Sequence, residues 1–176
     1  MGSFLSLPLL ALAAVVQSTI TPQVSILGGR PGLIFLLVLC WSVHASLEES
    51  VVWAFVGGIL GDIYSATPTG ASAITLILLV FTVNYIQGRV YQVGVLGLIG
   101  LTLVGTLLQQ VVLMLILFAS GFSPAFTGRL GFGVIAENIS YVVLPTVLYN
   151  LLLVLPAYVF VRRIQRRVYR NRITSA

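Results

Sequence analysis

Charge is what this chain has least of. Only 7% of its 176 residues are charged, and 59% are hydrophobic. So little polar surface cannot cover a water-soluble domain of this size, which excludes that class. Lysine is missing, and all nine basic residues are arginines. That removes the lysine of a phosphate-cradling loop, and neither Gly28-Gly29 nor Gly131-Phe132-Gly133 has its strand-to-helix setting. Histidine occurs once, at His44. A Ser-His-Asp or Cys-His catalytic set has no support around it, and no second histidine or aspartate stands at ligand spacing for zinc. Cysteine also occurs once, at Cys40, so no disulfide can form within the chain and the redox compartment stays open.

What is present is a succession of continuously apolar runs, with a mean hydropathy of +1.10. Barrel strands alternate apolar and polar residues, so these runs do not describe a transmembrane barrel. Lipid forces every backbone polar group to find a partner inside the segment, so the runs predict helices. The expected class is an all-α polytopic membrane protein. The length holds about six spans of ~20 residues. The spans are expected at Phe4 to Ile20, Pro31 to Ala45, Leu47 to Tyr64, Ala71 to Ile86, Tyr91 to Phe118 and Asn138 to Val161. Residues 1–161 form the transmembrane domain, and 162–176 form a basic tail. The N-terminal run resembles a signal peptide, but no Lys or Arg precedes it, which favours a retained first span. Ser120 to Gly133 reads as a Gly- and Phe-rich loop resting on the membrane face.

Six arginines lie between Arg162 and Arg172. The net charge of +5 is therefore a property of the tail and no sign of nucleic-acid binding. Val161, Ile164 and Val168 share one helical face, with Arg162, Arg163, Arg166, Arg167 and Arg170 filling the rest. Such a segment is expected to lie at anionic lipid on the cytoplasmic side. With six spans both termini are then cytoplasmic. Arg89 also falls inside, while Arg30 and Arg129 fall outside.

Three features carry the candidate sites. The segment FVGGILGDIYSATPTGASAI, Phe55 to Ile74, places Asp62 at the end of an apolar run, where a carboxylate is costly and marks a functional candidate. Gly57, Gly58 and Gly61 precede it, allowing another backbone to approach, and a Pro68-Thr69-Gly70 turn follows. Its structural use is as a corner between helices 3 and 4. Secondly, Gly94, Gly97 and Gly100 form a strip predicted to support close helix packing, and Gln109, Gln110 and Asn150 are intramembrane amides that need partners. Pro145 and Pro156 predict kinks in the last span. Thirdly, Glu48 and Glu49 beside His44 suggest paired-glutamate hydrolase chemistry. Ser46 to Glu49 instead has the spacing of a capping box, which accounts for Glu49 without catalysis.

The segment with Gly57, Gly58, Gly61, Asp62, Pro68 and Gly70 resembles the signature of the MreD family of bacterial rod shape-determining membrane proteins. That pattern is similar to Gly-x-x-x-[GL]-x-Asp, with a Pro-x-Gly turn opening the next helix. Length, helix count and the basic C-terminus agree with that family. The resemblance implies a non-enzymatic scaffold or regulator of cell elongation and peptidoglycan synthesis in the bacterial inner membrane, with no cofactor. It implies MreC as partner, with the MreB filament, RodA and a class B penicillin-binding protein nearby. It also implies a fold similar to the S-components of energy-coupling-factor transporters. A substrate-binding subunit of a vitamin-type transporter is therefore the alternative. Against it, helix 1 offers only Ala14 to Ser18 in place of the S-components' Ala-x-x-x-Ala docking strip.

Overall fold

The computed structural model describes residues 2–24, 29–64, 69–87, 94–119 and 142–173. Among them are six helices and no strand: α1 (Gly2–Val24), α2 (Leu33–Ser42), α3 (Leu47–Ile63), α4 (Ala71–Gln87), α5 (Val95–Ala119) and α6 (Leu144–Ile173). The all-α expectation holds. Among the described residues two segments are long and apolar enough to cross a membrane, Val95–Ile116 and Leu144–Arg166. The 17-residue helices α3 and α4 reach about 26 Å, slightly short of a ~30 Å hydrocarbon core. The expected loop over 120–133 lies outside the described residues.

Several boundaries differ from the sequence reading. α1 continues past Ile20 to Val24, so Pro22 sits within its last turn rather than after the helix. α2 begins at Leu33, leaving Pro31 outside the helix and Gly32 as its N-cap. It ends at Ser42 and spans only ten residues. At about 15 Å it is half the thickness of a bilayer core. α6 runs unbroken through the boundary at residue 161 and carries Pro156 in its interior.

The core explains why α2 can be short. Eight of its ten residues are buried, from Ile34 to Ser42. It packs against α1, α3, α4 and α6. An apolar run can be apolar because lipid surrounds it, or because protein does, and α2 is of the second kind. α3 is wedged between α1 and α4, while α5 packs on α4 and α6. Leu10 from α1, Val38 and Leu39 from α2, Trp53 and Ala54 from α3, Val83 from α4 and Val154 from α6 are wholly buried in one cluster. Trp41 and Trp53 stack with ring centroids 3.9 Å apart, tying the end of α2 to α3. In lipid such contacts stabilise by close packing rather than by escape from water.

Outward faces are apolar. Leu107, Val111 and Leu115 on α5, and Leu144, Leu148, Leu152 and Leu155 on α6, are exposed. Only 22% of each of the two long spans is buried within the chain. That distribution is what a helix presented to lipid or to another membrane protein requires.

The glycine strip of α5 does not do what its spacing suggested. Gly94 and Gly97 are exposed, and a Cβ on Gly94 or Gly100 would meet nothing within 4 Å. The buried side of α5 runs instead through Leu98, Leu101, Thr102, Gly105 and Thr106. That is the true helical period, whereas a three-residue spacing drifts off the face. The close glycine on this helix is Gly105, where a Cβ would stand 2.6 Å from Leu79 Cδ1 and 3.1 Å from Phe35 Cζ.

Candidate functional site

Asp62 lies in the last turn of α3, the end of a helix where a carboxylate is disfavoured by the helix dipole. Its side chain is buried, with 4% of its surface exposed. What makes the position tenable is the start of α4. One carboxylate oxygen accepts from the Gly70 N–H at 2.6 Å, and the other accepts from the Ser72 N–H at 3.1 Å. These are two of the N–H groups that a helix N-terminus leaves without internal partners. The carboxylate thus meets the positive end of α4 through charge-assisted hydrogen bonds.

The glycines around it have separate jobs. A Cβ on Gly58 would fall on the backbone of Ala73, so α3 and α4 touch main chain to main chain. Gly70 has φ +98°, a conformation that other residues adopt only with strain, and it aims its N–H at Asp62. Gly57 faces the other way, toward Ile34, Leu10 and Val38 of α2 and α1. Gly61 stands at ordinary contact distance from Ile34 and Ser72. Pro68 lies outside the described residues. The structure therefore brings Asp62, Gly58 and Gly70 together as one corner between α3 and α4.

A second polar centre lies at the start of α2. The Gly32 N–H donates to Asn150 Oδ1 at 3.1 Å, and the Ile34 N–H donates to Gln17 Oε1 at 3.1 Å. The Arg30 N–H donates to Thr146 Oγ1 at 3.2 Å. Asn150 Nδ2 donates in turn to Thr106 Oγ1 at 3.1 Å, and the Thr106 hydroxyl donates to the Thr102 carbonyl. α2 is thereby capped from α1 and α6, with α5 joined through Thr106. The sequence marked Asn150 as an amide in need of a partner. It did not mark Gln17, Thr102, Thr106 or Thr146. The available signal was the four-residue spacing of Thr102, Thr106 and of Thr146, Asn150, which puts each pair on one helix face. Gln109 and Gln110, by contrast, are partly exposed.

The opposite end of α2 forms a third centre. Ser46 caps α3 by accepting from the Glu49 N–H, as the capping-box spacing requires. Glu48 is exposed and Glu49 half-buried on the first turn of α3. Gln87 donates to the Ser42 carbonyl and Gln165 to the Trp41 carbonyl, each at 3.4 Å. The Tyr158 hydroxyl lies 3.3 Å from His44 Nε2. Arg162, Arg163 and Arg166 are exposed, whereas Val161 and Gln165 turn inward against this end of α2. The apolar edge of the tail begins on protein, not on lipid. Arg167 and Arg170 lie on the same helix. Among the described residues no group of three or more His, Cys, Asp or Glu side chains could hold a metal ion.

Chemically, all three centres place side-chain donors and acceptors on the ends of helices. A family model described as rod shape-determining protein MreD matches residues 1–168. No curated protein and no solved structure matches the chain.

Proposed function

The chain belongs to the MreD family of rod shape-determining proteins, and from that premise we propose that it is a non-enzymatic scaffold of the cell-elongation machinery that works by docking MreC. Membership assigns it to the determination of cell shape and to a family of structural membrane proteins. MreC binding, and proximity to MreB, RodA and a class B penicillin-binding protein, are the further steps of the proposal. The observation that carries it is the use of polar side chains at helix ends, two of them buried and one half-buried. Asp62, Asn150 and Gln17 are each spent on the end of another helix. A protein that must present fixed outer faces to a lateral partner gains from ends tied in this way.

In this reading the six helices form one multi-pass unit of the bacterial inner membrane with cytoplasmic termini. α2 is sheltered by its neighbours, so it need not match the bilayer. The arginines of α6 then meet the anionic lipid of the inner leaflet. The test is co-purification of MreC with the full-length protein in mild detergent, beside cell shape. Asp62→Ala should lower both recovery of MreC and the fraction of rod-shaped cells, while Glu48→Ala should leave both at the wild-type level. Wild-type behaviour of both variants would contradict the proposal.

A further inference from the structure

We propose that His44, Tyr158 and Arg162 form a discrete site for the phosphate of an anionic phospholipid in the cytoplasmic leaflet. The proposal rests on the cytoplasmic placement of the arginine tail given above, and it sharpens a diffuse charge effect into a place with named ligands.

The geometry comes from two elements. His44 sits in the turn between α2 and α3, whose His44 and Ala45 N–H groups both bond to the Trp41 carbonyl. Tyr158 and Arg162 are one turn apart on α6. The Tyr158 hydroxyl is within 3.3 Å of His44 Nε2, the two rings lie 5.4 Å apart, and the Arg162 guanidinium carbon is 5.9 Å from the centre of the Tyr158 ring. Gln165, one turn further on, holds the helix to the same turn through the Trp41 carbonyl. The cluster is therefore fixed by backbone contacts on both sides, while His44 and Arg162 remain exposed. It also stands near the inner end of the Leu144–Arg166 span, the depth at which headgroups and amphipathic aromatic rings meet.

The charges at this site call for an anion. Partial burial of its ring lowers the pKa of His44, and the positive charge of Arg162 lowers it further. Two groups that can both carry positive charge thus flank Tyr158, His44 at its hydroxyl and Arg162 over its ring. Glu48 and Glu49 open α3 beyond the turn, and Gln87 of α4 is neutral and taken by Ser42. A phosphate between His44 and Arg162 would accept from the guanidinium, the imidazole and the phenol together, and would turn mutual repulsion into attraction to a shared partner. Binding would then favour the imidazolium, so affinity should rise as pH falls through the His44 titration.

His44 is the one histidine of the chain, so its ring resonances can be followed by nuclear magnetic resonance without overlap from another histidine. The full-length protein in mild detergent is titrated with dioleoyl phosphatidylglycerol, dioleoyl phosphatidylcholine or inorganic phosphate while the His44 pKa is followed. Phosphatidylglycerol is expected to raise that pKa, and phosphatidylcholine with the same acyl chains to leave it in place. Arg162→Gln should weaken the phosphatidylglycerol response about fivefold, Arg162→Lys should restore most of it, and Arg170→Gln, which removes one charge of the tail outside the site, should weaken it by less than about twofold. A His44 signal blind to phosphatidylglycerol, or equal losses in Arg162→Gln and Arg170→Gln, would overturn the site. An equal shift with inorganic phosphate would overturn lipid as its source. Lipid retention by native mass spectrometry separates this from the broader reading. If wild type keeps phosphatidylglycerol no better than phosphatidylcholine, the tail's attraction to anionic lipid fails as well.

Discussion

Two helices of this protein start on side chains borrowed from elsewhere, and they differ in how far those side chains come. α4 starts on Asp62, which is eight residues from Gly70 and ten from Ser72. α2 starts on Gln17, 17 residues away, and on Asn150, 118 residues away. The first cap is charged, local and confined to one helical corner. The second is neutral and gathers three other helices around α2. One fixes the angle of a pair, and the other fixes the assembly of the bundle. In both, groups that would be costly in lipid satisfy backbone that would be equally costly.

The comparison can be broken at its strongest point first. Gly58→Leu forces a side chain into the Ala73 backbone, where neither helix can yield without separating. The expected loss is ~3 kcal/mol or more, and recovery of folded protein from detergent should fall sharply, as size-exclusion chromatography would show. Next comes Asp62→Ala, which orphans the Gly70 and Ser72 N–H groups. The expected cost is about 3 kcal/mol in denaturant unfolding, and Asp62→Asn should regain roughly half because its amide offers one acceptor.

Asn150→Leu tests the long-range cap. It strands the Gly32 N–H and removes the donor to Thr106, for an expected loss of about 2 kcal/mol. Gln17→Leu should cost ~1 kcal/mol, and the double variant should cost less than the sum, because both side chains hold one helix end. Removing Asp62 together with Asn150 should be additive within about 0.5 kcal/mol, since the two caps share no partner. A large coupling would show that the corner and the hub are one network.

Glycine packing sharpens the contrast at smaller scale. Gly105→Leu should lower the melting temperature in detergent by an amount matching about 2 kcal/mol, whereas Gly97→Leu should change it by no more than ~0.5 kcal/mol. The smallest effect concerns the far end of α2. The folded state lowers the His44 pKa, so it disfavours the imidazolium. In lipid-free detergent, stability should be fully present above the ordinary histidine range and should decline as pH falls through it. His44→Gln should flatten that decline in thermal melts at a series of pH values.

How much of this could be read from sequence follows from the same contrast. The Ser46–Glu49 cap and the start of α3 at Leu47 were legible because every participant lies within four residues. Asp62, Gly58 and Gly70 were legible as a corner because one helical hairpin contains them all. Asn150 was visible as a polar group without a partner. Its partner was hidden, because a backbone N–H leaves no mark in composition. α2 was read too long since apolar content does not distinguish a helix bathed in lipid from one wrapped in protein. The strip at Gly94, Gly97 and Gly100 misled for a related reason. Small residues permit close approach without requiring it, and the partner side chains Leu79 and Phe35 that select Gly105 lie far away in sequence.

Asp62 caps α4 and thereby holds the corner between α3 and α4. Amide hydrogen exchange at Gly70 and Ser72 tests it most directly, measured in the full-length protein and in Asp62→Ala under conditions where both remain folded. Those two amides should be protected in the wild type and should exchange at least about tenfold faster in the variant, with the middle of α4 unchanged. Equal protection of Gly70 and Ser72 in the two proteins would contradict the account.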